Sequence, residues 1–362
     1  GLDYTYDSGD FPKNMALALK AADWVGFEAR RAEAKARGKL RGIGIANAIE
    51  SAGGPHRGPL EEAAEIRFDS GGNVTLLMGS HNHGQGHETV FRQIASERLG
   101  IPAERIRFIN GDTDIVTHGR GTIGSRSMMA AGGALVGAAE RIIARGKKIA
   151  AHFMEAAEAD IEFSEGQFRI AGTDRGIGIE ALARRSYIPG QLPMGEELGL
   201  STLLITRPGD ATFPNGCHIA EVEIDPETGE AQTVAYVVVD DVGTVINPLL
   251  LKGQIHGGIA QGLGQVFGED IRYDANGQLL TASFMDYLMP RAADFPDMVV
   301  KSNPVPTKTN PLGVKGAGEA GTVGALPVLI NAVVDALRPL GITHIEMPAT
   351  PERIWAAIRA TD

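Results

Sequence analysis

Four short glycine-rich segments contain the residues of this 362-residue chain that are best suited to binding an anion. They are residues 84–89, 124–127, 257–264 and 316–321, each predicted to lie at the start of a helix. Helix N-termini offer unpaired amides and a positive dipole end, and glycine lets that backbone approach a ligand closely. One such segment alone is typical of a helix cap or a tight turn, but four together predict a large ligand rich in acceptors.

Three glutamines support this interpretation. Gln85, Gln254 and Gln261 lie in or beside the glycine-rich segments, and an amide can donate to and accept from a heterocycle edge or a phosphate. The pattern predicts a nucleotide-like cofactor with a heterocycle at each end. The predicted cofactor-binding residues are Gly84, Gln85, Gly86, Gly124, Ser125, Arg126, Ser127, Gln254, Gln261, Gly262, Lys315, Gly316 and Gly318.

Glu319 is the candidate catalytic residue. It stands at or just before the first turn of an apolar helix, four residues after Lys315. The helix dipole and the lysine ammonium both favour an ionised carboxylate, so Glu319 is predicted to be a ready base. The alternative is an acidic residue that only complements the helix dipole.

The spacing Gly316-x-Gly318-x-x-Gly321 also matches the fingerprint of dinucleotide-binding proteins. A true fingerprint follows directly on a buried strand and has an acidic residue about 20 positions later. Residues 303–311 contain three prolines, and Asp335 comes too early. A nicotinamide-dependent dehydrogenase built on residues 316–321 is therefore a rival interpretation that the prolines argue against.

Three histidines offer a second alternative, since His81, His83 and His87 are spaced closely enough to hold zinc. No carboxylate or thiolate falls at a matching position, and the glycines around them also suit phosphate binding. Hydrogen bonds to a cofactor edge are favoured, and no metal ligated by protein side chains is predicted.

Composition excludes several function classes. A net charge of −11 argues against a nucleic-acid partner, because phosphate backbones require a cationic surface. Cys217 is the only cysteine, so this chain alone can hold neither a disulfide nor an iron–sulfur cluster, and a reducing cytoplasmic setting is expected. No apolar run approaches about 20 residues, which predicts no membrane span. Because the chain begins at Gly1, we expect a fragment or a processed product.

The order of predicted elements indicates an α+β fold of two related mixed helix and sheet units that clamp an elongated cofactor. Residues 1–40 form a helical lead-in, residues 41–205 the first unit and residues 206–362 the second, with a Pro- and Gly-containing linker at 190–209. Hairpins with clear turn chemistry are predicted around residues 70–72 and 225–229. Long helices are predicted at 127–157 and 322–337.

Six stretches carry a resemblance to a known family, and they occur in the family's order over most of the chain. They are Gly84-Gln-Gly-His-Glu-Thr89, Gly124-Ser-Arg-Ser127, Asp240-Asp-Val-Gly243 with Ile246-Asn-Pro248, Gly253-Gln254 to Gln261-Gly262, Ser283-Phe-Met-Asp-Tyr-Leu-Met-Pro290, and Gly313-Val-Lys-Gly-Ala-Gly-Glu-Ala-Gly321. The chain resembles the molybdopterin-binding large subunit of xanthine dehydrogenase, aldehyde oxidase and aerobic carbon monoxide dehydrogenase, over its C-terminal half.

The resemblance implies a molybdenum–molybdopterin cofactor, in the cytosine dinucleotide form of bacterial members, with no protein atom on the metal. Gln85 and Gln261 match glutamines that bind the pterin, residues 124–127 match a loop around it, and Glu319 matches the glutamate beside the metal that acts as general base. The implied reaction is oxidation of an aldehyde, an N-heterocycle or carbon monoxide, with water as oxygen source.

The resemblance also implies partners: the N-terminal half of the large subunit, an Fe–S small subunit and a FAD-containing medium subunit. The family's large subunit is about twice this length, so this chain alone is expected to form an incomplete active site. A non-catalytic fragment or an assembly subunit of the same fold is the alternative.

Overall fold

The computed structural model describes residues 5–53 and 61–361, which form two compact units. Unit 1 combines Gly1–Ala52, Phe213–Thr307 and Lys315–Asp362, and unit 2 combines Gly53–Thr212 and Lys308–Val314. These bounds differ from the predicted ones because the N-terminal helices and the first strand belong with the C-terminal part of the chain. Sequence position could not reveal this, since the first strand pairs with a strand more than 150 residues later.

The helices and strands of the described residues are as follows. The helices are α1 (Phe11–Ala21), α2 (Phe27–Ala36), α3 (His87–Leu99), α4 (Gly132–Met154), α5 (Ile179–Arg185), α6 (Pro248–Phe267), α7 (Ala320–Leu337) and α8 (Pro351–Arg359). The strands are β1 (Leu40–Ile49), β2 (Glu62–Phe68), β3 (Val74–Met78), β4 (Ile106–Asn110), β5 (Ile161–Ser164), β6 (Gln167–Ile170), β7 (Gly176–Gly178), β8 (Ser201–Thr206), β9 (Asn215–Ile224), β10 (Ala231–Asp241) and β11 (Met298–Ser302). The predicted α+β class is confirmed.

Unit 1 is built on a four-stranded sheet in the order β1-β9-β10-β11. The hairpin of β9 and β10 is antiparallel, and β11 runs parallel to β10. Helices α6 and α7 share a buried apolar cluster with one face of this sheet. Gly42 and Gly44 in β1 make close packing possible, because a Cβ there would lie about 2 Å from carbonyl oxygens of α7.

Unit 2 is built on a second four-stranded sheet, in the order β4-β3-β2-β8, to which α3 and α4 contribute the covering helices. Strands β2 and β3 form the predicted hairpin, and β4 runs parallel to β3. A π-helical turn at Ser127–Ala131 leads into α4. A small antiparallel sheet of β5, β6 and β7 follows α4.

The two sheets share one topology, which supports the predicted relation between the units. Each has an antiparallel hairpin, then a helix, then a strand parallel to the second hairpin strand, then another helix. The fourth strand pairs antiparallel with the first hairpin strand in both sheets. In unit 1 that strand, β1, precedes the hairpin in sequence, whereas in unit 2 the corresponding strand, β8, follows it.

The linker predicted at residues 190–209 is wrong in part, because β8 lies within it and pairs with β2. The residues of β8 alternate between half-buried and exposed, as expected for an edge strand. This alternation is too weak for the strand to be recognised from the sequence.

The expectation that no helix could span a membrane also needs correction. By length and composition alone, two helical segments could cross a membrane: Ser127–Met154 and Ala320–Leu340. More than half of the apolar stretch of each is buried inside the protein.

Candidate functional site

The first glycine-rich segment forms the entry to α3 in unit 2, as predicted. Gly84 and Gly86 have φ values of +115° and +83°, and Gly86 is the residue that caps α3, with no side-chain hydrogen bond to the helix amides. A side chain at Gly84 would meet open space. Gln85 is half-buried, and its Oε1 accepts a hydrogen bond from the amide of His83 at 2.7 Å.

The second segment lies against the first within unit 2. Thr122 Oγ1 donates to the carbonyl of His81 at 2.6 Å and lies 3.2 Å from Ser127 Oγ, while Gln85 Nε2 approaches the same carbonyl at 3.5 Å. Gly124 and Ser125 both have positive φ, +55° and +51°. A positive φ is uncommon for serine and indicates a backbone held in a defined, strained turn. The structure therefore brings Gln85 and residues 124–127 together.

Arg126 has a different role from the one predicted for its side chain. It is fully buried, and its Nη1 lies 2.6 Å from Oε2 of the fully buried Glu62. It also donates to the carbonyls of Glu61 and Gly121 at 2.9 and 3.3 Å. The buried guanidinium therefore holds the loop in place, because its planar group of donors can bond several acceptors at once.

The third segment is not a loop, which corrects the prediction for residues 257–264. These residues lie inside α6, whose N-terminus is Asn247-Pro248 with Asn247 Oδ1 accepting from the amide of Leu250. Gly258 and Gly262 are buried against α7: a Cβ at Gly258 would lie 2.8 Å from the amide nitrogen of Thr322, and one at Gly262 would lie 2.4 Å from Cβ of Ala325. Gly262 therefore serves the packing of α6 against α7.

The opposite face of α6 has the character predicted for a binding surface. Gly253, Gly257 and Gln261 recur every four residues and are exposed, with half-buried Gln254 beside them. Side chains at Gly253 or Gly257 would meet no atom of the protein within 4 Å. A ligand could thus approach the bare helix backbone between two glutamines.

Glu319 lies at the N-terminus of α7, as predicted. It is exposed, it occupies the N-cap position, and its carbonyl accepts from the amides of Thr322 and Val323 at 3.0 and 3.1 Å. The adjacent Gly318 is exposed and Gly316 is buried. Thr322 Oγ1 lies 3.1 Å from Gln261 Oε1, so Gln261 of α6 reaches the helix turn that follows Glu319.

Lys315 does not act on Glu319 in the way that sequence proximity predicted. Its ammonium is buried, lies 2.6 Å from Asp241 Oδ2 and donates to the carbonyl of Ser8 at 3.0 Å. Asp241 also accepts from the amides of Gly243 and Val305. Lys315 therefore fixes the segment that leads to Glu319, and the helix end remains as the feature that favours an anion there.

The two alternative motifs find no support. Among the described residues, no group of three His, Cys, Asp or Glu side chains could hold a metal ion. His87 is buried, and burial, followed by the charges of His83 and His81, lowers its pKa to about 4. Residues 303–319, all of which are described, contain no strand, so residues 316–321 lack the preceding strand of a dinucleotide fingerprint.

Sequence reasoning missed Glu62, the buried partner of Arg126, and underestimated Asp241, the buried partner of Lys315. Neither pair has a local signal, since the partners are 64 and 74 residues apart. Glu62 is the first residue of β2 and Asp241 the last of β10, and other charged residues stand close to both, so no sequence pattern marks either as buried.

Comparison with known proteins agrees with this geometry. A family model described as the molybdopterin cofactor-binding domain matches residues 17–296. This chain belongs to that family. Over 98% of the chain, it is 39% identical to the carbon monoxide dehydrogenase large chain of Afipia carboxidovorans and 35% identical to the nicotine 6-hydroxylase large subunit of Paenarthrobacter nicotinovorans. It covers 45% and 44% of those chains, so it spans about half the length of these relatives.

Solved structures show the same relationship. The Cu,Mo-dependent carbon monoxide dehydrogenase superposes with a TM-score of 0.89 at 37% identity, over 98% of this chain and 46% of that chain. Quinoline 2-oxidoreductase from Pseudomonas putida 86 gives a TM-score of 0.88 at 35% identity, over 97% and 46%. The family therefore includes relatives that act on chemically different substrates, on the same fold.

Proposed function

We propose that this molybdopterin-binding chain forms the cofactor-binding part of a molybdenum hydroxylase, with Glu319 as its base. The observation that carries the proposal is a pair of open glycine surfaces, Gly84–Gly86 at the start of α3 and Gly253 with Gly257 on α6. Each surface has a glutamine beside it. At Gly84, Gly253 and Gly257 the backbone is accessible because a Cβ would meet no protein atom, and at Gly86 it is accessible because no side chain caps the start of α3.

These residues fit an elongated pterin cofactor. The uncapped N-terminus of α3 suits a phosphate group, because its first amides lack intrahelical acceptors. Gln85, Gln254 and Gln261 can pair with the donors and acceptors on a pterin edge. Gly124, Ser125 and Ser127 would contact the cofactor through their loop, which the buried side chain of Arg126 holds in place.

When bound, the molybdenum cofactor supplies a water-derived oxygen to the substrate and accepts two electrons. Glu319 would accept the proton released as the nucleophile attacks, since its carboxylate is exposed at the N-terminus of α7. Gly318, immediately before it, is exposed as well. Lys315, through Asp241, holds the preceding segment in place.

The proposed substrates are small electron-poor molecules, namely aldehydes, N-heterocycles or carbon monoxide. This range is supported by the activities for which the relatives are named, which include carbon monoxide dehydrogenase, nicotine hydroxylase and quinoline oxidoreductase. The electrons would leave through Fe–S and FAD groups on partner subunits, because Cys217 alone cannot hold a cluster. We also propose the cytosine dinucleotide form of the cofactor and a cytoplasmic location.

An apolar surface in unit 1 supports a partner. Seven large apolar side chains between residues 271 and 289 are each more than half exposed: Ile271, Tyr273, Leu280, Phe284, Met285, Leu288 and Met289. Monomeric proteins rarely leave such groups exposed together. Because the relatives are more than twice as long, we propose that the rest of the large subunit, its N-terminal half, covers this segment.

Substitution of the glutamines tests the proposal in the enzyme assembled on the full-length large subunit. Gln85→Ala in unit 2 and Gln261→Ala in unit 1 should each lower molybdenum and pterin content at limiting cofactor, since each removes a hydrogen bond worth about 1 kcal/mol, or roughly fivefold in affinity. Gln232→Ala is the matched control, because Gln232 is an exposed glutamine of β10 in unit 1, opposite Glu223 and outside the predicted site.

Molybdenum is measured by mass spectrometry and pterin by the fluorescence of its oxidised form. Unchanged content in both glutamine variants would refute the proposed surfaces. A wild-type assembly that lacks molybdenum and pterin altogether would instead identify a non-catalytic member of the fold.

A further inference from the structure

Three polar side chains lie buried on the face of β9 and β10 that packs against α7. Tyr236, His218 and Asp240 are 1%, 0% and 2% exposed, within an otherwise apolar layer. Helix α7 rests directly on His218, because a Cβ at Gly324 would lie 2.3 Å from the imidazole Cδ2. Gly216 likewise leaves space for the carboxylate of Asp240, since a Cβ there would lie 1.8 Å from Asp240 Oδ1.

The three groups form a chain that ends at Asp240. Tyr236 Oη lies 2.8 Å from His218 Nδ1, and His218 Nε2 lies 3.6 Å from Asp240 Oδ1. Burial, followed by the charge of Asp240, raises the pKa of Tyr236 well above its usual value, so its hydroxyl stays protonated and is able to donate to Nδ1. In the arrangement in which the hydroxyl donates, the proton of a neutral imidazole is on Nε2, the nitrogen that faces Asp240.

Asp240 faces a small crevice beneath the first turn of α7. The crevice is lined by Asp240, Gly216, Ala320 and Val323, together with Asn215, Glu50 and neighbouring residues at the end of β1. Asp240 Oδ2 and His218 Nε2 are buried atoms that have no hydrogen-bond partner within residues 5–53 and 61–361. Buried polar atoms are nearly always satisfied, so an orphan carboxylate oxygen in a crevice indicates an ordered water molecule.

The first turn of α7 offers the matching donors. In the part of the chain that the structure describes, no side chain caps α7. The amides of Thr322 and Val323 donate to the carbonyl of Glu319, which leaves those of Ala320 and Gly321 without an intrahelical acceptor. Ala320 and Val323, which line the crevice, belong to the turn that follows Glu319 directly.

We propose that Tyr236, His218 and Asp240 are positioning residues that cap the start of α7 through a water molecule in this crevice and thereby fix the direction of Glu319. The proposal rests on the proposed function only for the role of Glu319; the capping itself is a property of this chain. Of the charged groups near the crevice, Glu50 lines it directly after the end of β1, and Asp241 is engaged with Lys315.

Two histidine variants separate the positioning role from simple packing, in the enzyme assembled on the full-length large subunit. His218→Gln places an amide nitrogen near the position of Nε2 and so keeps a polar group beside Asp240, whereas His218→Asn keeps a group near Nδ1 and leaves the side next to Asp240 without one. Asp240→Ala removes the acceptor. Cys217→Ala is the control, because Cys217 is buried on the opposite face of β9, among residues that pack with α1.

Hydrogen–deuterium exchange read by mass spectrometry should show faster exchange in peptides covering residues 316–326 for Asp240→Ala and His218→Asn, on the order of fivefold for the loss of one hydrogen bond. Peptides covering residues 328–337 should be unchanged, and His218→Gln and Cys217→Ala should resemble the wild type. Turnover should fall on the order of tenfold in the first two variants, with KM and molybdenum content unchanged.

Unchanged exchange at 316–326 in Asp240→Ala would overturn the proposal, as would equal effects of His218→Gln and His218→Asn. Faster local exchange combined with unchanged turnover would uphold the water-mediated cap but refute the control of Glu319. Because exchange does not depend on the chemistry, failure of the cap and failure of the proposed function are distinguishable.

Discussion

Replacing Arg126 with methionine would leave the carboxylate of Glu62 buried without its partner. Both side chains are fully buried, with Nη1 and Oε2 2.6 Å apart, and Arg126 also donates to two backbone carbonyls. Removing one member of a buried ion pair typically costs about 3–5 kcal/mol, because the remaining charge is desolvated and uncompensated. In a unit of this size each kcal/mol lowers Tm by about 2–4 °C. We therefore expect the transition of unit 2 to fall by roughly 6–20 °C.

Differential scanning calorimetry and urea unfolding measure this change. Arg120→Met is the matched control, since Arg120 lies on the same loop and pairs with Glu61 while half-exposed, where water compensates the loss. The double variant Arg126→Met with Glu62→Leu should recover most of the lost stability, because no charge is then left buried. A Tm shift for Arg126→Met no larger than that for Arg120→Met would refute the reasoning.

Two further predictions concern packing and pH. Gly258→Ala should destabilise unit 1 by about 1–3 kcal/mol in urea unfolding, because its Cβ would overlap backbone atoms of α7. Gly257→Ala is the control: its Cβ meets open space, so the change should be neutral or slightly stabilising. Equal effects of the two substitutions would contradict the assignment of the two helix faces. The lowered pKa of His87, about 4 against 6.5, means that the unfolded chain binds a proton that the folded chain does not. Unit 2 should therefore lose stability as the pH falls from about 6.5 towards 4. Unfolding curves at pH 7 and pH 5 measure this loss, which should be smaller in His87→Gln. A loss of equal size in the variant would exclude His87 as its source.

Elements with strong local signals could be predicted from the sequence. The hairpin turns, the N-terminus of α3 and the position of Glu319 at the start of α7 depend on glycine and turn residues within a few positions. The α6 segment was misassigned because glycines typical of loops also occur where two helices pack closely. Only the neighbouring α7 shows that Gly258 and Gly262 serve packing while Gly253 and Gly257 stay open.

The partners of charged residues could not be predicted. Lys315 lies four residues from Glu319 but pairs with Asp241, because tertiary packing and not sequence spacing decides which carboxylate a buried lysine meets. For the same reason, the contacts among Tyr236, His218 and Asp240 could not be predicted. These residues lie on two adjacent strands, within a layer that is otherwise apolar.

The most direct test of the account is Glu319→Gln in the complete enzyme, with molybdenum content and turnover measured on the same preparation. Glutamine keeps the size and polarity of the side chain at the start of α7 and removes its ability to accept a proton. We predict unchanged molybdenum and pterin content with turnover lower by a factor on the order of 10² or more, the scale for losing a positioned general base. Wild-type turnover at normal molybdenum content would show that Glu319 is only a charge at a helix end, and would contradict the proposed mechanism.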